Sequence, residues 1–164
     1  MKKLILLSLA LMCCWVGVNG QPRSGNRATA KTQKSETVRR RAVKMSTPAN
    51  GLFSPAIVAG ELVFTSGQIG VDPKTGRIAE GGIEEQTEQV FRNLTAVLEA
   101  AGSSTEHILK ATVFLADMAD YNAMNELYRR HFKGDPPART TVQVARLPRN
   151  ARIEIEAIAI VKKD

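Results

Sequence analysis

The chain has 164 residues, about the length of one ordinary domain. Its formal net charge is +7, but residues 21–45 alone carry +7, whereas residues 46–164 carry −2. A slightly acidic domain lacks the basic patch that is the usual footprint of nucleic-acid binding. The composition therefore gives no reason to expect a specific nucleic-acid partner.

Residues 1–20 have the pattern of a secretory signal peptide. Lys2 and Lys3 precede an apolar stretch, Leu4–Val18, that is short for a membrane span of roughly 20 residues. We predict a cleaved signal and an exported protein, periplasmic or secreted, with a retained anchor as the alternative. Cleavage would remove Cys13 and Cys14, leaving no disulfide, thiol nucleophile or thiolate metal site.

Residues 21–38 are rich in small polar and basic residues and contain almost no large apolar side chain. Such a segment buries too little surface to offset its ordering entropy, so it is predicted to be a flexible linker. Its positive charge could hold it against an anionic membrane surface, although a solvated tether without a partner is the simpler interpretation. The folded domain is predicted to span residues 39–164.

The first half of this domain is predicted to contain three strands and a helix. After a strand over Val38–Met45, the Gly60-Glu61 pair is typical of a hairpin turn. Asp72–Gly76 predicts a further turn. Apolar residues at three- and four-residue steps then predict a helix over Ile83–Ala101, ended by Gly102. The hairpin strands are predicted over Ala56–Ala59 and Leu62–Thr65.

The second half is predicted to alternate strand, helix, strand and strand. Gly134 and Pro136-Pro137 end the predicted second helix. The order of elements predicts an α+β domain with two helices on one face of a mixed sheet. The predicted ranges are Ile108–Leu115, Met118–Phe132, Arg139–Ala145 and Arg152–Val161.

The last predicted strand has two unlike sides. One side is apolar and suits the helices, with Ile153, Ile155, Ala157 and Ala159. The other side mixes charged and apolar residues and would leave an exposed hydrophobic patch on a monomer, so we predict that it packs against other subunits. Its residues are Arg152, Glu154, Glu156, Ile158 and Ile160.

Few side chains suit catalysis. His107 lies at a helix-to-strand junction and His131 near a helix C-terminus, where a cation is favoured, and structural roles are the better interpretation of both. No cysteine, histidine or acidic residues have metal-ligand spacing, and there is no phosphate loop or dinucleotide motif, so neither metal nor cofactor is expected. Ser66 has no nearby base that would make it a nucleophile.

Two features stand out from this inventory. Arg139 opens a strand after rigid prolines, with Thr141 on the same side, and could present its planar fork to a carboxylate. Glu154 and Glu156 lie in an otherwise apolar strand, where a raised pKa could suit acid–base catalysis. Spacing alone favours a surface salt bridge for Arg139 and a solvated strand face for the glutamates.

Five motifs in order change that balance, and with them the chain resembles the RidA/YjgF family, also called L-PSP endoribonuclease, over about residues 43–161. The resemblance implies a chorismate-mutase-like α+β fold and a homotrimer with ligand clefts at subunit boundaries. It also implies cofactor-free hydrolysis of 2-imino or enamine acids, such as 2-iminobutanoate, to 2-oxo acids and ammonia. The motifs are Thr65-Ser66-Gly67-Gln68-Ile69, Lys110-Ala111-Thr112-Val113-Phe114, Pro137-Ala138-Arg139, Val144-Ala145-Arg146-Leu147-Pro148 and Arg152-Ile153-Glu154-Ile155-Glu156-Ala157-Ile158-Ala159.

The resemblance also implies roles for individual residues. Arg139 matches the carboxylate-binding arginine, Glu154 the glutamate that contacts the attacking water, and Ser66 the serine of the Ser-Gly-Gln motif. These three form the predicted catalytic set. The predicted substrate-binding set consists of Arg139, Phe53, Ser66, Gly67, Asn125 and Thr141.

The chain departs from the family before the first hairpin. Where Gly-Pro-Tyr-Ser-Gln is common, residues 51–55 read Gly-Leu-Phe-Ser-Pro, so Phe53 lacks the hydroxyl and Pro55 lacks an amide. Thr141 stands where cysteine is frequent. These changes keep open a trimeric, non-catalytic binding module for small carboxylates outside the cytoplasm. RNA cleavage, which the older family name suggests, is disfavoured by the near-neutral domain without a histidine pair.

Overall fold

The structure, a computed structural model, describes residues 38–45 and 51–162. The predicted signal peptide, and all of the predicted linker except Val38, lie outside these residues. Within the described ranges, no helix is both long and apolar enough to cross a membrane.

Seven strands form one mixed sheet in the order β1-β2-β3-β7-β5-β6, and β4 also pairs with β7. Among the strands of the described residues, only β5 and β6 run parallel, and every other pairing is antiparallel. The predicted α+β architecture is confirmed. The strands are β1 (Arg40–Ala42), β2 (Ala56–Ala59), β3 (Leu62–Thr65), β4 (Gln68–Ile69), β5 (Ile108–Leu115), β6 (Ala138–Gln143) and β7 (Ile153–Ile160).

Two helices cover one side of this sheet: α1 (Ile83–Ala101) and α2 (Tyr121–Arg130). α1 buries the apolar positions that its periodicity predicts, including Phe91 and Leu94. Glu85 completes its first turn, because its Oε2 accepts a hydrogen bond from the Gly82 amide at 2.6 Å. Three 3₁₀ turns, Thr105–His107, Met118–Asp120 and Pro148–Asn150, connect the larger elements.

The two sides of β7 differ as predicted. In the antiparallel register with β5, Ile155 lies opposite Val113 and Ala157 opposite Ala111, and all four are buried in the core beneath the helices. Glu154 lies between the buried Ile153 and Ile155 in sequence and therefore points to the opposite, open side of the sheet.

Several element bounds differ from the predicted ones. β1 covers only three of the eight predicted residues, and the two-residue β4 was not predicted. The predicted second helix divides into the 3₁₀ turn Met118–Asp120 and α2, which ends two residues earlier than predicted. Asp117 caps the 3₁₀ turn, because its Oδ1 accepts a hydrogen bond from the Ala119 amide.

Arg152 precedes β7, and only its carbonyl joins the ladder, where it accepts a hydrogen bond from the Ala116 amide at 2.9 Å. The Arg152 amide donates to Gln86 Oε1 at 2.8 Å, so the strand begins one residue later than predicted. Its guanidinium donates two hydrogen bonds to the buried Asp120 carboxylate, at 2.9 and 2.7 Å. Arg152 therefore ties β7 to the start of α2, although it was predicted to share the open side with Glu154.

Gly102→Ala is expected to lower the free energy of unfolding by about 1 kcal/mol. Gly102 ends α1 with φ 85°, a left-handed conformation that a Cβ disfavours, although the nearest atom to such a Cβ, Val161 Cγ1 at 3.6 Å, leaves room for it. Urea unfolding would measure the change. Gly134→Ala is the matched control, because no atom lies within 4 Å of its Cβ position. Equal stability of the two variants would contradict the expectation.

Candidate active site

An open cleft of about 760 Å³ lies beside β4 and β7, where the two glutamates of β7 line it. Its volume is in the range of small-molecule sites. The polar groups Ser66, Glu154 and Glu156 share this cleft with apolar side chains. The full lining is Phe53, Thr65, Ser66, Gly67, Ile69, Val71, Pro148, Arg149, Glu154 and Glu156.

Ser66 is held by the segment that departs from the family pattern. Its Oγ donates to the Ser54 carbonyl at 2.7 Å, and its amide donates to the Pro55 carbonyl at 2.9 Å. Pro55 has no backbone N–H to donate, but this contact does not need one, because the Pro55 carbonyl accepts the hydrogen bond from Ser66. Since the hydroxyl proton is already donated, Ser66 can offer a ligand lone pairs, which suits a binding residue rather than a nucleophile.

Glu154 carries an unusual carboxylate in this cleft. Burial raises its pKa above the ordinary value of 4.5, and the nearby charge of Glu156 raises it further. The side chain fills the space where a residue other than glycine at position 67 would place its Cβ, which would overlap Glu154 Oε1. Gly67 thus contributes by lacking a side chain, which lets the carboxylate lie against the backbone.

Gly67→Ala is expected to lower kcat/KM by roughly 10²-fold, because a shift of about 1 Å in a catalytic group can cost that much. The new methyl group would displace the Glu154 carboxylate. Initial rates with the 2-imino acids that the family resemblance implies as substrates would test this, with Gly134→Ala as control because its Cβ would meet open space. Wild-type rates in Gly67→Ala would contradict the placement.

Arg139 lies in a second group of residues, against α2. Its Cζ is 4.5 Å from the ring centroid of Tyr128 and 5.8 Å from that of Tyr121. Its Nη2 lies 3.5 Å from Tyr121 Oη, a long hydrogen bond. Within residues 38–45 and 51–162, no carboxylate forms an ion pair with Arg139. The salt bridge that spacing alone favoured is not formed, and most of its donors remain available to an anion.

Three buried polar atoms lie on α2 and β6, the two elements that meet at Arg139. Asn125 Oδ1, Tyr128 Oη and Thr141 Oγ1 have no hydrogen-bond partner in the described part of the chain. Asn125 lies one helical turn after Tyr121 on the same face of α2, and Thr141 lies two residues after Arg139 on the same face of β6. Unpaired buried polar atoms are costly, so the Asn125 amide and the Thr141 hydroxyl are suited to pair with a polar ligand.

Tyr121 and Tyr128 were predicted only as part of the apolar stripe of the second helix. Their contacts with Arg139 depend on how α2 lies over β6, which the sequence pattern does not specify. Burial raises the pKa of the Tyr128 hydroxyl to about 12, although the Arg139 charge partly opposes this. The hydroxyl therefore stays protonated. In the sequence, the only indication that these residues act together is the spacing of Tyr121, Asn125 and Tyr128, which places them on one face of a helix.

The two groups of predicted residues lie on opposite sides of the sheet. Arg139 is in register with Ala111, whose other neighbour is the buried Ala157, so Arg139 faces the helices. Glu154 is in register with Phe114 on the open side. One protomer therefore gathers Phe53, Ser66, Gly67 and Glu154 around the cleft, and Arg139, Asn125 and Thr141 on the helix side.

The histidines belong to neither group. His107 Nδ1 is 2.7 Å from Ser104 Oγ, and the His131 ring stacks on Phe91 with centroids 3.8 Å apart. Burial lowers the pKa of His131, and Glu88 partly opposes this. The predicted cationic role at the helix C-terminus is thus disfavoured by burial, whereas the predicted structural roles fit these contacts. In the described ranges, no group of three or more His, Cys, Asp or Glu side chains could hold a metal ion.

Comparison with known proteins adds a context for this geometry. The profile of the family described as Endoribonuclease L-PSP matches residues 44–161. Human 2-iminobutanoate/2-iminopropanoate deaminase is 45% identical over 112 residues, which cover 68% of this chain and 82% of the human protein. Reactive Intermediate Deaminase A, chloroplastic, of Arabidopsis thaliana is 44% identical over 131 residues, covering 80% of this chain and 68% of the plant protein.

Solved structures agree with the fold. The crystal structure of E. coli TdcF with bound serine is similar to this chain with a TM-score of 0.69 at 38% identity, covering 74% of this chain and 99% of that one. Yeast Mmf1 reaches a TM-score of 0.72 at 39% identity, covering 76% of this chain and 100% of the yeast chain. The fold implied by the sequence motifs is therefore confirmed.

Proposed function

Because the chain belongs to the RidA/YjgF, or endoribonuclease L-PSP, family, we propose that it is a deaminase that hydrolyses reactive 2-imino or enamine acids. The substrates are acids such as 2-iminobutanoate, and the products are 2-oxo acids and ammonia. The observation that carries the proposal is Arg139, an arginine held by two aromatic rings with no carboxylate partner among the described residues. The named relatives support deamination and give no support to a non-catalytic binding module.

Arg139 would bind the carboxylate of the substrate through two parallel N–H donors and so orient the adjacent imine. A protonated imine carbon is already electrophilic, so a positioned water suffices as nucleophile. Glu154 takes a proton from that water as its oxygen bonds to the imine carbon. Glu154 returns this proton to the nitrogen of the resulting carbinolamine, and the C–N bond breaks with its electron pair on nitrogen. The C=O bond of the 2-oxo acid forms as Glu154 accepts the remaining hydroxyl proton, and the nitrogen leaves as ammonia.

A carboxylate with a raised pKa suits this exchange, because it accepts a proton from water more readily than an ordinary carboxylate does and can still return it. Ser66 offers its lone pairs to a donor on the substrate or the water, since its own proton is bound to the Ser54 carbonyl. No metal, cofactor or covalent intermediate is needed in this scheme, so the absence of a catalytic cysteine or histidine pair is no obstacle.

We further propose that each complete site forms between subunits of a homotrimer. Arg139 and Glu154 face opposite sides of the sheet in one protomer, so a substrate between them requires Glu154 from a neighbour. The open side of the sheet carries exposed apolar residues that a second protomer would cover. Leu62, Phe64 and Val142 are exposed there, and Ile158 and Ile160 are half-buried.

Subunit mixing tests the activity and the shared site together. Arg139→Ala and Glu154→Gln should each be inactive, but randomly mixed trimers should recover about a quarter of wild-type activity, because one adjacent pair in four restores both residues. The assay is ammonia release from enzymatically generated 2-iminobutanoate. No acceleration by the wild type would overturn the activity. Inactive mixtures of well-folded trimers would overturn only the shared site.

We also propose that the protein is exported, on the pattern of residues 1–20 alone. The basic residues 21–45 would then lie nearest the membrane surface from which the protein is released. Fractionation followed by N-terminal sequencing should find a mature chain that begins near Gln21 outside the cytoplasm. A chain that keeps Met1 and stays in the cytoplasm would contradict export.

A further inference from the structure

We propose that Tyr121 and Tyr128 are positioning residues that orient the Arg139 guanidinium for carboxylate binding. This inference rests on the proposed function, in which Arg139 binds the substrate carboxylate. Neither tyrosine is required to touch the substrate. Tyr128 acts through its ring face and Tyr121 through its hydroxyl.

Tyr128 is a fixed surface for the guanidinium. Only 5% of the residue is exposed, and its ring packs edge-on against Phe91, with centroids 5.5 Å apart. Phe132 lies on another side with its centroid at 4.9 Å. The ring therefore cannot yield when Arg139 lies against it. At 4.5 Å from the ring centroid, Arg139 Cζ is well within the range of cation–π attraction.

Tyr121 restricts the same guanidinium from a second direction. It lies seven residues before Tyr128, about two turns along the same face of α2, and it is 37% exposed. Its hydroxyl lies 3.5 Å from Arg139 Nη2, while its ring centroid lies farther away, at 5.8 Å from Cζ. The hydroxyl therefore makes the closer contact of the two.

An arginine that binds a carboxylate has to be oriented in advance and has to keep its N–H donors available, and this arrangement meets both requirements. An arginine side chain loses considerable rotamer entropy when a ligand fixes it, so prior orientation strengthens binding. A carboxylate partner would provide orientation, but it would also occupy the N–H donors and neutralise the charge. An aromatic face orients the guanidinium and leaves its edge donors available. A single long hydrogen bond to Tyr121 consumes little of that capacity.

Binding of 2-oxobutanoate, measured by calorimetry on the intact protein, separates the ring from the hydroxyl of Tyr128. Tyr128→Leu should weaken binding by roughly 5- to 30-fold, the range of a desolvated cation–π contact. Tyr128→Phe keeps the ring and should bind within about 2-fold of the wild type. Phe132→Leu is the comparison variant, because it loosens the packing of Tyr128 but leaves the Tyr128 ring beside Arg139, so it should weaken binding less than Tyr128→Leu does.

Separate measurements of KM and kcat distinguish this positioning role from a purely structural one. In Tyr128→Leu, KM for 2-iminobutanoate should rise with the loss of affinity, while kcat should change by less than about 3-fold, since the ring acts on carboxylate binding. Wild-type binding in Tyr128→Leu would overturn the proposal. Equal losses in Tyr128→Phe and Tyr128→Leu would also overturn it, because the hydroxyl would then be responsible.

Tyr121 provides a second test if Tyr128→Leu fails to fold. Tyr121→Phe removes only the partly exposed hydroxyl and should weaken 2-oxobutanoate binding by about 2- to 5-fold, as expected for one long hydrogen bond. Unchanged binding in that variant would overturn the proposal. A wild type that binds 2-oxobutanoate through Arg139 without any turnover would contradict the deaminase function but support this inference. No Arg139-dependent binding would overturn the inference itself.

Discussion

Arg139→Lys should lower kcat/KM for 2-imino acids by roughly 10- to 100-fold, the equivalent of one charge-assisted hydrogen bond. Lysine keeps the positive charge but loses the planar fork that binds both carboxylate oxygens. It also loses the flat contact that Arg139 makes with Tyr128. The effect should fall mainly on KM, since the carboxylate is bound in both the ground state and the transition state.

Initial rates of 2-oxo acid release over a range of substrate concentrations would measure this effect. Arg129→Lys is the matched control, because Arg129 is an exposed arginine of α2 that pairs with Glu126 at 3.4 Å. The free energy of unfolding should change little in Arg139→Lys, because no ion pair with Arg139 exists in the described part of the chain. Identical kinetics of the two lysine variants would contradict the role of Arg139.

Glu154→Gln should lower kcat by about 10²- to 10⁴-fold, the usual contribution of a positioned acid–base group. In the proposed mechanism, the active form of Glu154 is the carboxylate. Because the pKa of Glu154 is raised, this activity should be lost as the pH falls through a value above 4.5. The residual rate of Glu154→Gln should show no such acidic limb. A pH–rate profile of both proteins would test this.

The same substitution should raise stability. Burial and Glu156 raise the pKa of Glu154 in the folded protein, so the folded state holds this proton more tightly than the unfolded state does. The resulting stabilisation is present at low pH and is lost as the pH rises from 4.5 through the raised pKa. At neutral pH, Glu154→Gln should therefore melt at a higher temperature than the wild type, and the difference should shrink in acid.

Glu156→Gln tests whether the charge of Glu156 contributes to the raised pKa of Glu154. It removes the neighbouring charge, which is the second cause of the raised pKa of Glu154. The acidic limb of the pH–rate profile should therefore move to lower pH. A Glu154→Gln variant that loses both activity and stability would contradict the assignment of Glu154 as a strained acid–base group.

Elements with strong local patterns were predictable from sequence. α1 and β5 begin and end at the predicted residues. The apolar periodicity of α1 and its flanking glycines, and the β-branched run of β5, are local signals. β4 has two residues and no pattern of its own, so only its pairing with Ile155 and Glu154 of β7 defines it.

Within the candidate site, the sequence identified side chains more reliably than their surroundings. Glu154 was predicted on the outward side of its strand, and alternation along β7 sufficed for that. Gly67 was predicted as a cleft residue, but its role in making room for Glu154 requires the approach of β7. The contacts of Tyr121 and Tyr128 with Arg139 join residues that are 18 and 11 positions apart, and no local pattern encodes them.

The sequence by itself determined the family, the two-sided β7 and the identity of Arg139 as an anion-binding candidate, because motifs and strand alternation are local properties. Only the tertiary structure decided which side of the sheet Arg139 faces. Hydrophobicity alone would direct Val142 of β6 toward the core, yet Val142 is exposed. The parallel register with β5 places Arg139 and Thr141 beside the buried Ala111 and Val113. That non-local pairing separates Arg139 from Glu154 and makes the site depend on a second subunit in our proposal.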